Sequence, residues 1–216
     1  MKPHVSSQPL YLLMLAQERH HRRSLVELRD ASLRQMGLML ECRDLEVKGH
    51  TDRVVKLSDR FARHLGLDDE EREALRWGAY LHDVGKLALP DRVLLKPGPL
   101  DDGEMDLVRE HPQLGVEMAQ PLPYLPEAAH QVIRHHHERW DGRGYPHGLA
   151  GEDIPRLARV FGLVDVFAAL CHKRPYKPAW PLPRVIREIE EEAGGAFDPS
   201  LAAAFLDMLE APGSRT

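Results

Sequence analysis

The residues of this chain with the clearest chemical potential are histidines and aspartates, beginning with the adjacent pair His82-Asp83. Such a pair offers two metal ligands from one stretch of backbone, and the aspartate can bridge two ions through its two oxygens. Adjacent pairs of this kind occur by chance in most chains of this size, so the pair alone is weak evidence. Here it is accompanied by further candidate ligands, namely His50, His111, His136, His137 and Asp165. Nitrogen and oxygen ligands suit iron, manganese or a similar divalent ion.

The positions of these residues argue against ordinary structural roles. His50, His82, His136 and Asp165 each fall on the apolar face of a predicted helix. A lone histidine there is usually a hydrogen-bonded core residue, but several together would each need a buried partner. Asp165 stands within an apolar run, where a carboxylate is costly to bury unless it is paired or bound to metal. Metal binding would offset all of these costs at once.

The remaining histidines have no such context. His4, His20 and His21 belong to the N-terminal segment, and we expect His64, His130, His147 and His172 to be solvated. His135 completes a triplet with the candidate ligands, but it points away from the face that carries Ile133 and His136. We therefore expect it to lie outside the site.

Apolar residues recur at helical spacing through most of the chain, whereas the alternation typical of strands is almost absent. One predicted helix runs from His50 to Leu65 and ends at Gly66. The next begins with Asp68 and Glu71, in the pattern of a capping box. Further helices are predicted over residues 105–111, 129–136, 158–168 and 201–209, with connections rich in Pro and Gly over 90–103 and 140–155. The sequence therefore predicts an all-α fold with the ligands between helices.

Residues 1–40 are predicted to form a helical lead-in to a main domain of residues 41–216. Leu25, Leu28, Met36 and Leu40 recur roughly at helical spacing. One interpretation is a helix packed on the main domain. The other is a coiled-coil or dimerisation helix, because the apolar stripe is too short for a firm heptad assignment.

The bulk properties exclude several classes of protein. The chain has 216 residues, 43% of them hydrophobic, which suits one domain with a substantial core. Its formal charge of -5 gives no general attraction to nucleic acid or to an anionic membrane. Cys42 and Cys171 are the only cysteines, so a reducing cytoplasm is expected. An apolar run of about 18 residues and a signal peptide are both lacking, which predicts no membrane span.

A set of longer motifs runs in order from residue 41 to residue 210. They are EVKGH at 46–50, HDVGK at 82–86, LPDRVLLKPGPL at 89–100, HHERWDGRGYP at 136–146, GEDIP at 151–155, VDVF at 164–167, RPYK at 174–177 and FDP at 197–199. Together they closely resemble the HD-GYP domain, a subgroup of the HD phosphohydrolase superfamily. The GYP itself is Gly144-Tyr145-Pro146.

This resemblance implies an HD-domain helical bundle and a bacterial phosphodiesterase that hydrolyses cyclic di-GMP to linear pGpG, and it leaves open whether the reaction continues to GMP. By position, the metal ligands of the family fall on His50, His82, Asp83, His111, His136, His137 and Asp165. Lys86 matches the lysine that meets the scissile phosphate, and Tyr145, Arg174 and Lys177 match residues that line the substrate site. The implied partners are cyclic di-GMP, a second copy through the N-terminal helix, and a diguanylate cyclase of the GGDEF type.

The residue types suit this chemistry independently of the family. A phosphodiester is an anion with a poor leaving group. Two close metals can clamp its oxygens and lower the pKa of a bridging water, with Asp83 held between them. Lys86 can add positive charge where it is needed in the transition state, although without its motif it would pass as a solvated lysine.

Glu46 matches a glutamate that some members of the family use for a third metal. If the helix that carries His50 extends back through Gly49, the two side chains share a face one turn apart. Otherwise Glu46 is a solvated acid near a helix start, where acids are favoured anyway. From spacing alone, the solvated glutamate is the better interpretation.

Two departures from the family pattern affect the functional hypothesis. Many members have a second aspartate three residues after the one at Asp165, where this chain has Ala168, and Val47 replaces a common threonine. The leading hypothesis is an active cyclic dinucleotide phosphodiesterase. The alternative is a catalytically silent module that senses cyclic di-GMP or docks a protein, which Ala168 keeps open. A phosphohydrolase for another phosphoester is disfavoured by the GYP loop.

Overall fold

The computed structural model describes residues 8–43, 49–172 and 178–211, and the side chains from residue 15 onward within those ranges. Its α-helices are α1 (Gln8–Arg43), α2 (His50–His64), α3 (Asp69–Leu81), α4 (Asp91–Leu94), α5 (Asp102–Arg109), α6 (His111–Ala119), α7 (Glu127–His135), α8 (Arg156–Cys171), α9 (Leu182–Glu191) and α10 (Pro199–Glu210). Short 3-10 helices cover Val84–Ala88 and Gly151–Asp153. The described ranges contain isolated bridges but no strand, so the all-α prediction is confirmed.

The helix boundaries follow local capping rules. The Asp68 side chain accepts from the backbone of Glu71, and the Glu71 side chain accepts in return from Asp68, which confirms the predicted capping box. Gly66 follows α2 with a φ of 68°, a left-handed conformation that suits glycine. Gly49 precedes α2 with a φ of 83°, so the helix begins at His50. The suggested extension back through Gly49 is therefore wrong, because that backbone conformation interrupts the helix.

The core that positions the site is formed mainly by α2, α3, α7 and α8. Its largest fully buried side chains include Trp77, Phe61, Phe161 and Phe205. The approach of α3 to α7 is close because Gly78 carries no side chain. A Cβ there would lie 2.6 Å from Cβ of Val132. This close packing brings the C-terminal ends of the two helices, which both carry candidate ligands, to the same side of the core.

The long helix α1 is packed along its C-terminal half. Leu33 and Leu40 are buried, and Arg34 donates two hydrogen bonds to Asp52 of α2, at 2.6 and 2.5 Å. Residues 16–25 are exposed. The packed interpretation therefore holds for the second half of α1, and a role in dimerisation stays a prediction.

Three details of the fold differ from the sequence prediction. The Pro- and Gly-rich connection contains α4, and the predicted helix over residues 105–111 is divided between α5 and α6. The sequence prediction did not include α9, although Leu182, Val185, Ile186 and Ile189 have helical spacing. None of the described helices is both long and apolar enough to span a membrane.

Candidate metal centre

The seven ligands predicted from the sequence lie together in two groups. One group contains Asp83, His111, His136 and His137, and the other contains His50, His82 and Asp165. Within each group, one ligand atom per residue lies within 4.8 Å of the others. Five of the seven residues are buried, and His137 and Asp165 are partly buried. The fold therefore brings together residues from five helices and the segments that follow them.

Three of the histidines are held in the same way, at the C-terminal end of a helix. His82 follows α3, His111 follows α5 and His136 follows α7. In each case the ring Nδ1 lies 2.7–2.8 Å from the carbonyl oxygen three residues earlier, that of Ala79, Val108 or Ile133. The last carbonyls of a helix have no partner within the helix, so each ring satisfies one of them.

This capping determines which nitrogen each ring presents to the site. A carbonyl oxygen can only accept, so Nδ1 must carry the hydrogen, and Nε2 of the neutral ring is left with a lone pair. Nε2 of His111 lies 3.3 Å from Nε2 of His136. Two lone pairs at this distance repel unless a cation lies near both. Burial and the neighbouring histidines hold the pKa of His136 well below its ordinary value, so a proton is a poor candidate for that cation.

The donor set therefore fits metal binding. Histidines that bind metal usually donate their other ring nitrogen to a backbone carbonyl or carboxylate, which is the arrangement at these three rings. Burial also lowers the pKa of His137, to about 3, so this ring too is neutral and available as a ligand.

Asp83 belongs to the first group and also faces the second. Its Oδ1 is 3.2 Å from Nε2 of His111 and 3.9 Å from Nε2 of His136. Its Oδ2 is 3.2 Å from Nε2 of His82 and 2.7 Å from Nζ of Lys86. Burial would raise the pKa of Asp83, but the charges of Lys86 and His82 hold it well below the usual range. Asp83 is therefore an anion with one oxygen directed toward each group.

The second group places one carboxylate, that of Asp165, beside two histidines. Oδ1 of Asp165 lies 3.4 Å from Nε2 of His50. Burial by itself would lower the pKa of His82, but the nearby carboxylates of Asp83 and Asp165 raise it to about 9. The pKa of Asp165 lies below the usual carboxyl range despite burial, because His50 and His82 stabilise its charge. Such a site attracts positive charge, and a divalent ion could take the place of the proton on His82.

Lys86 and Tyr145 border the centre from two different segments. Lys86 lies in the 3-10 helix Val84–Ala88, directly after the ligand pair. The Tyr145 ring stacks on the His137 ring, with centroids 4.7 Å apart and planes inclined by 28°. Burial and the charge of Asp83 raise the pKa of Tyr145 above its ordinary value, so its hydroxyl stays protonated and can donate a hydrogen bond.

Gly85 has a role that its sequence context does not reveal, because a glycine just after a predicted helix has the pattern of a helix stop. An added Cβ would lie 2.0 Å from the carbonyl oxygen of His111 and 2.5 Å from the amide nitrogen of Gly115. The absence of a side chain lets α6 approach Asp83. No local pattern distinguishes a glycine of this kind from a helix stop.

A cleft of about 360 Å³ opens beside the centre, between the GYP segment and α8. Its lining includes His136, His137, Tyr145, Arg109, Arg143 and Val166. The sequence analysis did not single out the two arginines: Arg109 lies outside the quoted motifs, and Arg143 lies within HHERWDGRGYP but was given no role of its own. They add positive charge to the wall of the cleft, close to the candidate ligands.

Some predicted residues cannot be placed, and others lie away from the centre. Glu46, Arg174 and Lys177 lie outside the described residues, so their roles stay predictions. His135 is buried but belongs to neither ligand group, as expected. His130 is also buried, so the expectation that it is solvated was wrong; it lines a small cleft between α6 and α7.

Comparison with known proteins supports the resemblance seen in the sequence. A family model described as HD domain matches residues 34–201. The chain is 38% identical over 175 residues to a cyclic di-GMP phosphodiesterase of Thermotoga maritima, with 80% of this chain and 47% of the relative covered. It is 39% identical over 177 residues to the cyclic di-GMP phosphodiesterase response regulator RpfG of Xanthomonas campestris pv. campestris, with 81% and 47% covered. The chain thus spans about half the length of these relatives.

The fold has a solved counterpart in a cyclic GMP-AMP specific phosphodiesterase from Vibrio cholerae. The TM-score is 0.63 at 23% identity, over 87% of this chain and 49% of that chain. Taken with the HDVGK and HHERWDGRGYP segments at the two ligand groups, these matches show that the chain belongs to the HD domain family, in its HD-GYP subgroup.

Proposed function

We propose that this chain is a metal-dependent phosphodiesterase that opens cyclic di-GMP to linear pGpG and acts further to give GMP. The observation that carries the proposal is the position of Asp83, with one carboxylate oxygen toward each of two adjacent ligand groups. A carboxylate placed in this way can bridge two ions, and paired ions are a recurrent solution to phosphoester hydrolysis. The similarity to proteins named cyclic di-GMP phosphodiesterases supports the choice of substrate.

The proposed cofactors are two divalent ions, with iron or manganese favoured. The ligands are imidazole nitrogens and carboxylate oxygens, and neither ligand group contains a cysteine. Such donors suit iron and manganese better than metals that prefer thiolates. A third ion at Glu46 remains part of the proposal, although the helical argument for it fails at Gly49.

The charge balance of the site suits an anionic substrate. Asp83 and Asp165 carry two negative charges among the seven ligands, so two divalent ions would leave a net positive centre. Bound ions would polarise the phosphoryl group and lower the pKa of a water molecule. Lys86 contributes in two ways: its Nζ lies 2.7 Å from Asp83 and fixes that carboxylate, and its charge opposes the negative charge that develops on the phosphate.

The cleft beside the centre is large enough for part of a cyclic dinucleotide. Its volume falls at the lower end of the range for small-molecule sites. Tyr145 can donate its phenolic hydrogen to a substrate oxygen, and Arg109 and Arg143 can approach the second phosphate. Arg174 and Lys177 are proposed to complete the substrate site, as the family resemblance implies.

The alternative of a silent sensor depends on Ala168. This residue is buried in the apolar core, one turn beyond Asp165 on α8. A missing carboxylate there leaves the seven ligands together, which favours the active enzyme. Ala168 therefore bears on rate or metal preference more than on the existence of the centre.

A test of the proposal begins with protein purified without air and supplied with iron and manganese. We expect about two metal ions per chain by elemental analysis and, on incubation with cyclic di-GMP, formation of pGpG and GMP. Asp83→Ala should lose both metal and activity. Protein that contains metal and binds cyclic di-GMP but leaves it intact would favour the sensor, and protein that takes up no metal would refute the proposal.

The proposed partners also include a second copy of the chain through α1. Leu28 and Met39 of this helix are 65% and 67% exposed, and a second copy could cover these apolar side chains. Light scattering should report a dimer, and Leu28→Glu should weaken it. Association with a diguanylate cyclase of the GGDEF type stays a prediction from the family resemblance.

A further inference from the structure

We propose that Glu138 is a positioning residue that holds the GYP loop, here residues 139–150, over the metal centre. This inference rests on the proposed function only for its kinetic consequence. Glu138 follows the ligand His137 directly in the sequence, yet it belongs to neither ligand group. Its role must therefore be sought in what its carboxyl group contacts.

The side chain of Glu138 is completely buried, with 0% of its surface exposed. Oε1 accepts a hydrogen bond from the backbone N–H of His147 at 2.8 Å, and Oε2 accepts one from the backbone N–H of Leu149 at 3.1 Å. A buried carboxyl group is costly unless its oxygens are satisfied. Here both oxygens are satisfied by a segment 9 and 11 residues further along the chain, and Nδ1 of His135 lies 3.7 Å from Oε1. The two backbone hydrogen bonds therefore tie the buried carboxyl group to the loop.

The loop folds back against the segment that carries His137. The backbone N–H of Tyr145 donates to the carbonyl oxygen of His137 at 3.2 Å. An added Cβ on Gly144 would lie 2.4 Å from the amide nitrogen of Arg139, so only glycine fits there. Backbone contacts of Gly144 and Tyr145 thus fix the chain at the point where the Tyr145 ring stacks on the His137 ring.

Glu138 is the buried attachment of the second half of this loop. The first half is held by backbone hydrogen bonds from Trp140 to Ala196 and from Asp141 to Gly195. The ion pair of Arg139 with Asp141 is partly exposed, and such pairs contribute little. The two N–H groups that donate to Glu138, those of His147 and Leu149, follow Tyr145-Pro146 closely in the chain. The structure therefore assigns to this carboxyl group a share in the placement of Tyr145, beside the hydrogen bond from the Tyr145 N–H to His137.

The decisive variant is Glu138→Gln, which keeps the size of the side chain. Its amide oxygen can accept from one N–H, but its amide nitrogen is a donor and faces the other N–H. We expect unchanged metal content, because the ligand rings are held by their own helices. We also expect KM for cyclic di-GMP to rise about tenfold with a smaller change in kcat, from the loss of one hydrogen bond to a charged acceptor.

The matched control is Glu117→Gln, since Glu117 is exposed on α6 and accepts a hydrogen bond from Gln113 of the same helix. It should leave KM, metal content and stability unchanged. A general loss of metal and stability in Glu138→Gln, with no separate effect on KM, would show a merely structural role and overturn the proposal.

Two further measurements keep the inference testable if Glu138→Gln does not fold or the protein does not hydrolyse cyclic di-GMP. In the wild type, the amide hydrogens of His147 and Leu149 should exchange more slowly than that of exposed Gly148, and rapid exchange of both would refute the inference. The dissociation constant for uncleaved cyclic di-GMP should also rise about tenfold in Glu138→Gln. If the wild type does not hydrolyse cyclic di-GMP, and Glu138→Gln nevertheless binds it about tenfold more weakly than the wild type does, the proposed function is refuted and the role of Glu138 stands.

Discussion

Replacement of Gly85 by alanine should damage the metal centre through backbone displacement alone. The added Cβ would lie 2.0 Å from the carbonyl oxygen of His111 and 2.5 Å from the amide nitrogen of Gly115. Carbon–oxygen contacts normally exceed about 3.3 Å, so one backbone must move by about 1 Å. Both atoms belong to α6, and no flexible side chain is available to yield. The helix that begins with His111 must therefore move away from Asp83.

The expected magnitudes follow from this displacement. Overpacking of this size costs about 3 kcal/mol of the free energy of unfolding, which lowers Tm by about 6–12 °C in a chain of this length. A shift of about 1 Å in a catalytic constellation lowers the rate by about 100-fold. The group of Asp83, His111, His136 and His137 should lose metal, while the group of His50, His82 and Asp165 should retain more of it.

The assay combines thermal unfolding, metal analysis and hydrolysis of cyclic di-GMP. The control is Gly103→Ala in the first turn of α5, where the nearest atom to the added Cβ, Oδ1 of Asp101, lies at 3.6 Å. Alanine there should be neutral or stabilise the protein by up to about 1 kcal/mol. If Gly85→Ala matches the control in Tm, metal content and rate, the steric argument is refuted.

Four other predictions can be checked by standard measurements. Asp83→Ala should lose both metal and turnover, whereas Lys86→Ala should keep its metal and lose about 100-fold or more in kcat, as seen by elemental analysis and kinetics. Glu46→Ala should lower the metal count only if a third ion binds; equal counts near two in both proteins, with the same products, would exclude it. Asp198→Asn should destabilise the protein by about 1–3 kcal/mol at neutral pH, because the carboxylate of Asp198 caps α10 and lies 2.6 Å from Arg159. Burial by itself would raise the pKa of Asp198, but its hydrogen bonds lower the pKa overall. The stabilisation by the carboxylate is therefore present above the unfolded pKa of about 4 and is lost as pH falls through the lower folded pKa. Denaturant unfolding of the wild type and Asp198→Asn from pH 7 to pH 3 should show that the difference between their free energies of unfolding shrinks.

Much of this protein could be predicted from the sequence because its signals are local. Helical spacing reports which face of a segment is buried, and the capping pattern at Asp68 and Glu71 reports where a helix begins. The same spacing was present in α9 and could have identified it. His50 and Asp165 stood out because polar groups on apolar faces need a partner, a requirement that does not depend on which helix supplies it.

The arrangement of the ligands depended on tertiary structure. His82 and Asp83 are neighbours in the sequence, yet His82 joins the group of His50 and Asp165, while Asp83 reaches across to His111. The sequence cannot distinguish this division, because it depends on how α3, α6 and α7 pack against one another.

The roles of Gly85 and Glu138 were likewise decided only by tertiary structure. In the sequence, Gly85 has the pattern of a helix stop, and Glu138 lies within the HHERWDGRGYP segment without a role of its own. The close approach of α6 and the folding back of the GYP loop give them their functions. Residue type and spacing thus determined which groups can bind metal, whereas long-range packing decided how they are grouped and what holds them in place.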